Sequence, residues 1–281
     1  MKMFVYLFFI LLCHSVSYCE KCEDASHVII TTRPSISTSL SEVVETYYAT
    51  FSADFCFSIY QTDYKPELSV FMSKVKSRHP TAKTLTLINS DILFDEDEYL
   101  STVNLILKAF DTKMTHSNNF LGIGIRKNIK LSDFRNFNDA FRLANLFENY
   151  AIDCFITNFD YDWLQYGGIV IGKIGNDNYL VDKAHHDKNT TLIDFSETIR
   201  LLHLGKSEIG NHTEHESDER VNINIAEEKG GSNNDPFDHG KISDCEYKTL
   251  FSGTSKTNRQ LQLCKVDGTN CFSNEKVMIN N

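Results

Sequence analysis

DAFRLANLFENYAIDCFITNFDYDWLQYGG, residues 139–168, is the stretch whose reading decides the fold. Leu143, Ala144, Phe147 and Tyr150 recur at helical spacing, and the chain then turns into the compact apolar run 151–157, the texture of a buried strand. A helix feeding a strand predicts one unit of a layered α/β fold. The strand runs out into Asn158, Phe159, Asp160, Tyr161, Asp162 and Trp163 and then Gly167 and Gly168. Acids, aromatics and glycines therefore gather where a parallel strand delivers its chain to a binding face. By spacing alone, an ordinary polar boundary between helix and strand fits equally well.

Similar units recur upstream. Residues 28–32 are β-branched and predict a first strand. A helix is expected from Ser39, where Glu42 completes a capping box and Leu40, Val43, Val44, Tyr47, Tyr48 and Phe51 share one face. Residues 54–60 predict a strand, Pro66 opens a helix with Leu68, Phe71, Met72 and Val75 inward, and 83–88 predict another strand. Leu100, Val103, Leu107 and Phe110 mark a helix, and 120–125 a strand. Such alternation predicts right-handed crossovers and a parallel sheet, closed as a barrel in preference to open. Further on, residues 169–174 and 179–181 read as a hairpin around 175–178, and Asp194 as the cap of a helix running to Leu204. Residues 206–240 are acidic and rich in Asn and Gly, a loop around one strand at 221–226.

Compartment follows from the ends and the cysteines. Met1, Lys2 and Met3 before the apolar run 4–13, with Ser15 and Ser17 behind it, have the layout of a signal peptide over 1–19. No later run is long enough to span a bilayer, so the mature chain is expected to be secreted and without a membrane partner. Six cysteines follow, which in an exported chain predict a few structural disulfides. Their spacing offers no metal site, and His185 and His186 read as exposed loop. Asn189 and Asn211 head sequons and are candidate glycosylation sites. A net charge of −10 argues against a nucleic-acid partner. The 41% apolar content is enough for a real core. Gly122-Ile123-Gly124 lacks the rest of a dinucleotide fingerprint, no Walker loop or Gly-x-Ser-x-Gly elbow occurs, and no cofactor is expected. Cys154, inside an apolar strand, reads as an inert thiol or a disulfide partner.

The order of these units resembles the family 18 glycoside hydrolases, the chitinases and chitinase-like lectins. PELSVFMSKVKSRHP with TAKTLTLINS is similar to the family's second and third barrel units, and EYLSTVNLILKAFDTK with FLGIGI to its fourth helix and fifth strand. NYAIDCFITNFDYDW resembles its sixth strand, TLIDFSETIRLLHLGKSEIG the helix before its seventh, and GGSNNDPFDHGKISDC the end before a cysteine. The resemblance implies a (β/α)8-type barrel over 20–245, incomplete or degenerate, with an irregular cysteine-containing tail over 246–281.

The family's catalytic strand carries Asp-x-x-Asp-x-Asp-x-Glu, whose Glu protonates the glycosidic oxygen while the substrate's own acetamide attacks. In DILFDEDEY, residues 91–99, Asp91, Glu98 and Tyr99 fall in register, but Phe94 and Glu96 replace the supporting acids. Asp95 and Asp97 then charge the face that should pack. Glu98 is the only candidate acid, and Asp91, Phe159, Asp160 and Trp163 are the residues that resemblance assigns to ligand. The competing reading of 91–98 is the acidic N-terminus of a helix, favoured by the helix dipole.

Three functions follow. The preferred one is a secreted chitinase-like protein without turnover, binding a chitin-like N-acetylglucosamine oligosaccharide or a protein. The others are an active chitinase using Glu98, and a secreted α/β module of another family that acts through protein contacts.

Overall fold

The structure is a computed structural model and describes residues 25–33, 38–61, 66–146, 151–172, 175–205, 221–228, 240–253 and 260–273. The expected signal peptide and the sequon at Asn211 lie outside them.

The chain begins as expected. β1 (His27–Arg33), α1 (Thr38–Tyr48), β2 (Phe55–Gln61), α2 (Leu68–Arg78) and β3 (Thr84–Ile88) place β2 and β3 on either side of β1, both parallel to it. β4 (Ile92–Phe94), α3 (Glu96–Asp111) and the eleven-residue β5 (Asn119–Ile129) follow. Next come α4 (Phe137–Leu143), the short β6 (Asn145–Leu146) and β7 (Ile152–Asn158). Then come α5 (Asn176–His186), β8 (Thr190–Asp194), β9 (Leu201–Leu204) and α6 (Val221–Glu228), and last β10 (Tyr247–Ser252), β11 (Gln260–Lys265) and β12 (Phe272–Ser273).

The main sheet runs β12-β11-β10-β8-β5-β7-β3-β1-β2 and is open. This corrects the expected parallel barrel. β7 pairs antiparallel with both β3 and β5, so the middle of the sheet reverses direction where a barrel needs every strand parallel. β10 and β11 join the sheet beyond β8, so this part of the C-terminal region is not an irregular tail.

Helices cover both faces, which is why the strands are apolar on both sides. Along β1, Ile29 enters one core, with Val44 and Tyr48 of α1, Val103 and Ile106 of α3, and Phe137 of α4. Val28 and Ile30 enter the other, with Leu68 and Met72 of α2 and Leu180 and Val181 of α5. The two-residue alternation of the pleat thus sorts side chains between two layers. Each such side chain, once fully buried, contributes roughly 1.5–3 kcal/mol.

β5 is the spine. Its first half pairs with β8 and its second half with β9, both parallel and on the same edge. Between Asp194 and Leu201 the chain leaves the sheet and Phe195 folds back over β5, its N–H donating to the Ile123 carbonyl at 2.9 Å. The Phe195 ring is fully buried against Gly122 and Gly124. Those two glycines make room for an aromatic ring.

Four local expectations are corrected. The helix in the opening stretch lies earlier, ending at Leu143, because Asn145 and Leu146 pair with β5. Residues 176–186 form α5 in place of a hairpin arm: Gly175 turns the chain at φ 80°, and Tyr179, Leu180, Val181 and Ala184 are buried. Asp194 ends a strand and accepts from Ser196 N at 2.8 Å, capping a turn and no helix. Val221–Glu228 is helical despite its alternating VNINI, and its fully buried Asn222 exchanges two 2.8 Å hydrogen bonds with the main chain of Val170.

Candidate functional site

Residues 96–98 form the first turn of α3, the acidic helix N-terminus that competed with the catalytic strand. Asp95 caps that helix, accepting from Glu98 N at 3.1 Å. The Glu98 carboxylate is already engaged: it accepts from Arg200 N at 3.0 Å and from Arg200 Nε at 2.6 Å. Arg200 also reaches Asp95 at 3.8 Å, donates to Asn138 Oδ1 at 2.9 Å and lies over the Phe137 and Phe141 rings. Burial pushes the Glu98 carboxyl up while Arg200 pulls it down. A general acid must aim its proton at open space, and this one faces a guanidinium. Tyr99 is wholly buried, its hydroxyl on Thr86 Oγ1 at 2.7 Å and Thr84 Oγ1 at 3.2 Å.

Asp91, in the turn after β3, pairs with His203 Nε2 at 3.0 Å. Beside it, where β3 and β5 end and β7 begins, Arg126 is paired with Asp153, which also accepts from Asn89. Arg126 donates through Nε to Asn128 Oδ1 at 3.2 Å and lies within the field of Asp91 and Asp177. Burial pushes Asp177, in the first turn of α5, up to about 6, against the hydrogen bond from Asn176 and the pull of Arg126. A buried charge persists only when it is paired. Here an arginine among three aspartates closes the carboxyl end of the sheet as an ion network.

Phe159, Asp160 and Trp163 lie at the other end. Because β7 runs antiparallel, it delivers them beside the start of β3, where Phe159 N donates to Lys83 O at 3.0 Å. The five residues of β3, roughly 17 Å, separate them from Asp91. Asp160 is exposed, and Phe159 is half-buried under Lys76 Nζ at 5.0 Å. Trp163 is 2% exposed, packed edge-on to Tyr161, whose hydroxyl meets that of Tyr166 at 2.5 Å. A ring so enclosed serves as core and offers no face to a sugar.

No family model matches this chain, and no curated protein does.

A second polar region had no motif to announce it. A groove of about 470 Å³ lies between the end of α5, the starts of β8 and β10 and the turn after β11, lined by His116, His185, His186, Lys188 and Lys265 among others. His185 and His186 are exposed as expected, but on the last helical turn and not in a loop. Asn189 is exposed at the groove's edge, one residue before the lining Thr190. Among the described residues, no set of His, Cys, Asp and Glu is arranged to hold a metal ion. Cys264 and Cys271 are bonded, whereas Cys154 and Cys245 are free and buried, so the C-terminal cysteines are not all paired with one another. Burial drives both free thiols up, away from the reactive thiolate.

Proposed function

We propose that this chain is an exported α/β binding module, standing outside the family 18 barrels, that acts by recognition and does not cleave glycosidic bonds. The observation that carries this reading is the engagement of both Glu98 carboxylate oxygens by Arg200. The separation of Asp91 from Asp160, the burial of Trp163 and the reversal of β7 point the same way. Export is supported by the Cys264–Cys271 bond and the exposed sequon at Asn189.

The test is hydrolysis of N-acetylglucosamine oligomers by the parent and by Glu98→Gln, beside retention on insoluble chitin. No turnover and no retention are expected. Turnover in the parent that vanishes in Glu98→Gln overturns the reading, and retention without turnover replaces it with a chitin-binding lectin.

A further inference from the structure

The ion network at the carboxyl rim of the sheet holds more carboxylates than cations, and the topology puts it where an open sheet receives ligands. β1 sits between β2 and β3, and the crossovers to them lie on opposite faces, α1 packing in one core and α2 in the other. The chain therefore parts at the carboxyl ends of β1 and β3, the kind of crevice in which open α/β sheets take small molecules. On that rim Asn89 and Asp91 follow β3, Arg126 stands in the second half of β5 and Asp153 at the start of β7. The first turn of α5 brings Asn176 and Asp177 to the same network, with Asp177 in the field of Arg126.

Three aspartates meet one permanent cation there. Arg126 is paired with Asp153, and Asp91 with His203 Nε2 at 3.0 Å. Asp177 makes no ion pair among the described residues. Its carboxylate accepts at Oδ1 from Asn176 Nδ2, at 2.9 Å. The same amide leaves Asn176 Oδ1 buried without a donor, on a residue only 5% exposed. Because the two ends of an amide share one rigid plane, that oxygen lies beside the Asp177 carboxylate. A buried acceptor without a donor is costly, so it calls for one.

The two groups call for the same partner: the carboxylate for positive charge, the amide oxygen for an N–H. A primary ammonium supplies both, as a unit charge on three diverging donors. An anion would face the carboxylates, and the guanidinium of Arg126 is already paired. No set of His, Cys, Asp and Glu among the described residues is arranged to hold a metal ion, which leaves an organic cation. Asp177 is half-buried, so its carboxylate can be reached from solvent. A carboxylate that the fold leaves without a cation lowers stability, and its use lies in what it binds.

We propose that the rim at Asn176 and Asp177 binds a small ligand through a primary ammonium group, with the Asp177 carboxylate pairing its charge and Asn176 Oδ1 accepting one of its N–H bonds. The proposal rests on the recognition reading above and supplies its ligand class.

Titration calorimetry and thermal melts on the full exported chain test it at pH 7.5, above the value of about 6 to which burial raises Asp177. The probes, at constant ionic strength, are ethanolamine, tetramethylammonium, which has the charge but no donor, and ethylene glycol, which has donors but no charge. Ethanolamine is expected to bind with a Kd on the order of 1 mM, the scale for a ligand of so few atoms, and to raise the melting temperature. The other two should bind about tenfold more weakly or not at all. Asp177→Asn should weaken ethanolamine by about tenfold or more while melting above the parent, which the loss of a merely structural carboxylate would not do. Asp160→Asn, at the opposite end of the sheet, should bind as the parent does. No saturable binding of ethanolamine, equal binding of tetramethylammonium, retained binding in Asp177→Asn, or an Asp177→Asn chain that melts below the parent overturns the proposal. None of these outcomes bears on glycosidic turnover, so a failure here leaves the reading of Glu98 standing.

Discussion

Gly124→Ala is the sharpest probe of this architecture, because it sets a single methyl group against the ring that joins β8 to β9. A Cβ at Gly124 would lie 2.8 Å from Phe195 Cδ2 and closer still to Cε2, and the ring is fully buried. Overpacking of that kind costs about 1–3 kcal/mol. A Cβ under 3 Å from a fully buried ring belongs in the upper part of that range, about 2–3 kcal/mol, and loss of glycine's freedom in the unfolded chain returns about 0.5–1 kcal/mol, leaving a net destabilisation of about 1–2.5 kcal/mol. Gly122→Ala meets the same ring at 3.2 Å and should cost less. The loop that Phe195 anchors ends at Arg200, so the strain is directed at the Arg200 contact with Glu98. Urea unfolding with unchanged slopes measures the differences. A smaller ring-site residue should relieve the clash, making Gly124→Ala with Phe195→Leu less destabilising than the sum by about 1 kcal/mol. A Gly124→Ala protein as stable as the parent, or strict additivity in the double variant, would refute the placement of Phe195 on β5.

Other expectations follow from single groups. Asp177 is raised to about 6, so the stabilisation from its proton is full below the unfolded value near 4 and is lost as pH rises through about 6. His27, lowered to about 4 by burial, runs the other way, its contribution full above about 6.5 and lost as pH falls through about 4. Asp177→Asn should therefore gain on the parent in melting temperature between pH 4.5 and 7, and parallel profiles would remove the buried carboxyl from the account. Iodoacetamide should leave Cys154 and Cys245 unmodified in the folded, unreduced chain, and rapid labelling of either would contradict its burial. Reducing Cys264–Cys271 should lower stability by at most about 2.5 kcal/mol, the value for a short loop, read as a shift in urea midpoint. Asn189 sits in an exposed turn and should carry a glycan when the chain is exported, so Asn189→Gln should remove one glycan mass; an unchanged mass would refute its use.

The first half of the fold is legible in the sequence for a physical reason. α1, α2 and α3 bury one stripe each, and β1, β3 and β7 are buried on both faces, so helical and strand periods stay distinct. Pairing direction is another matter. Nothing in the spacing of ITNFDYDW says that β7 runs against its neighbours, because a strand covered on both faces reads the same either way. Val221–Glu228 misleads for the opposite reason: its period-two pattern is local, and the partner that makes it a docked helix, Val170 on Asn222, is 52 residues away.

The same reversal explains why the predicted site dispersed. Asp91, Glu98, Phe159, Asp160 and Trp163 converge only if the strand ending at Asn158 runs parallel to β3, so that both deliver their loops to one rim. With β7 reversed, Asp160 sits by the start of β3 while Asp91 sits past its end, and each acid meets the partner its own end provides. Glu98 takes Arg200 because β9 pairs with β4 and brings Arg200 alongside the first turn of α3. An acid so held is a fastening between helix and strand.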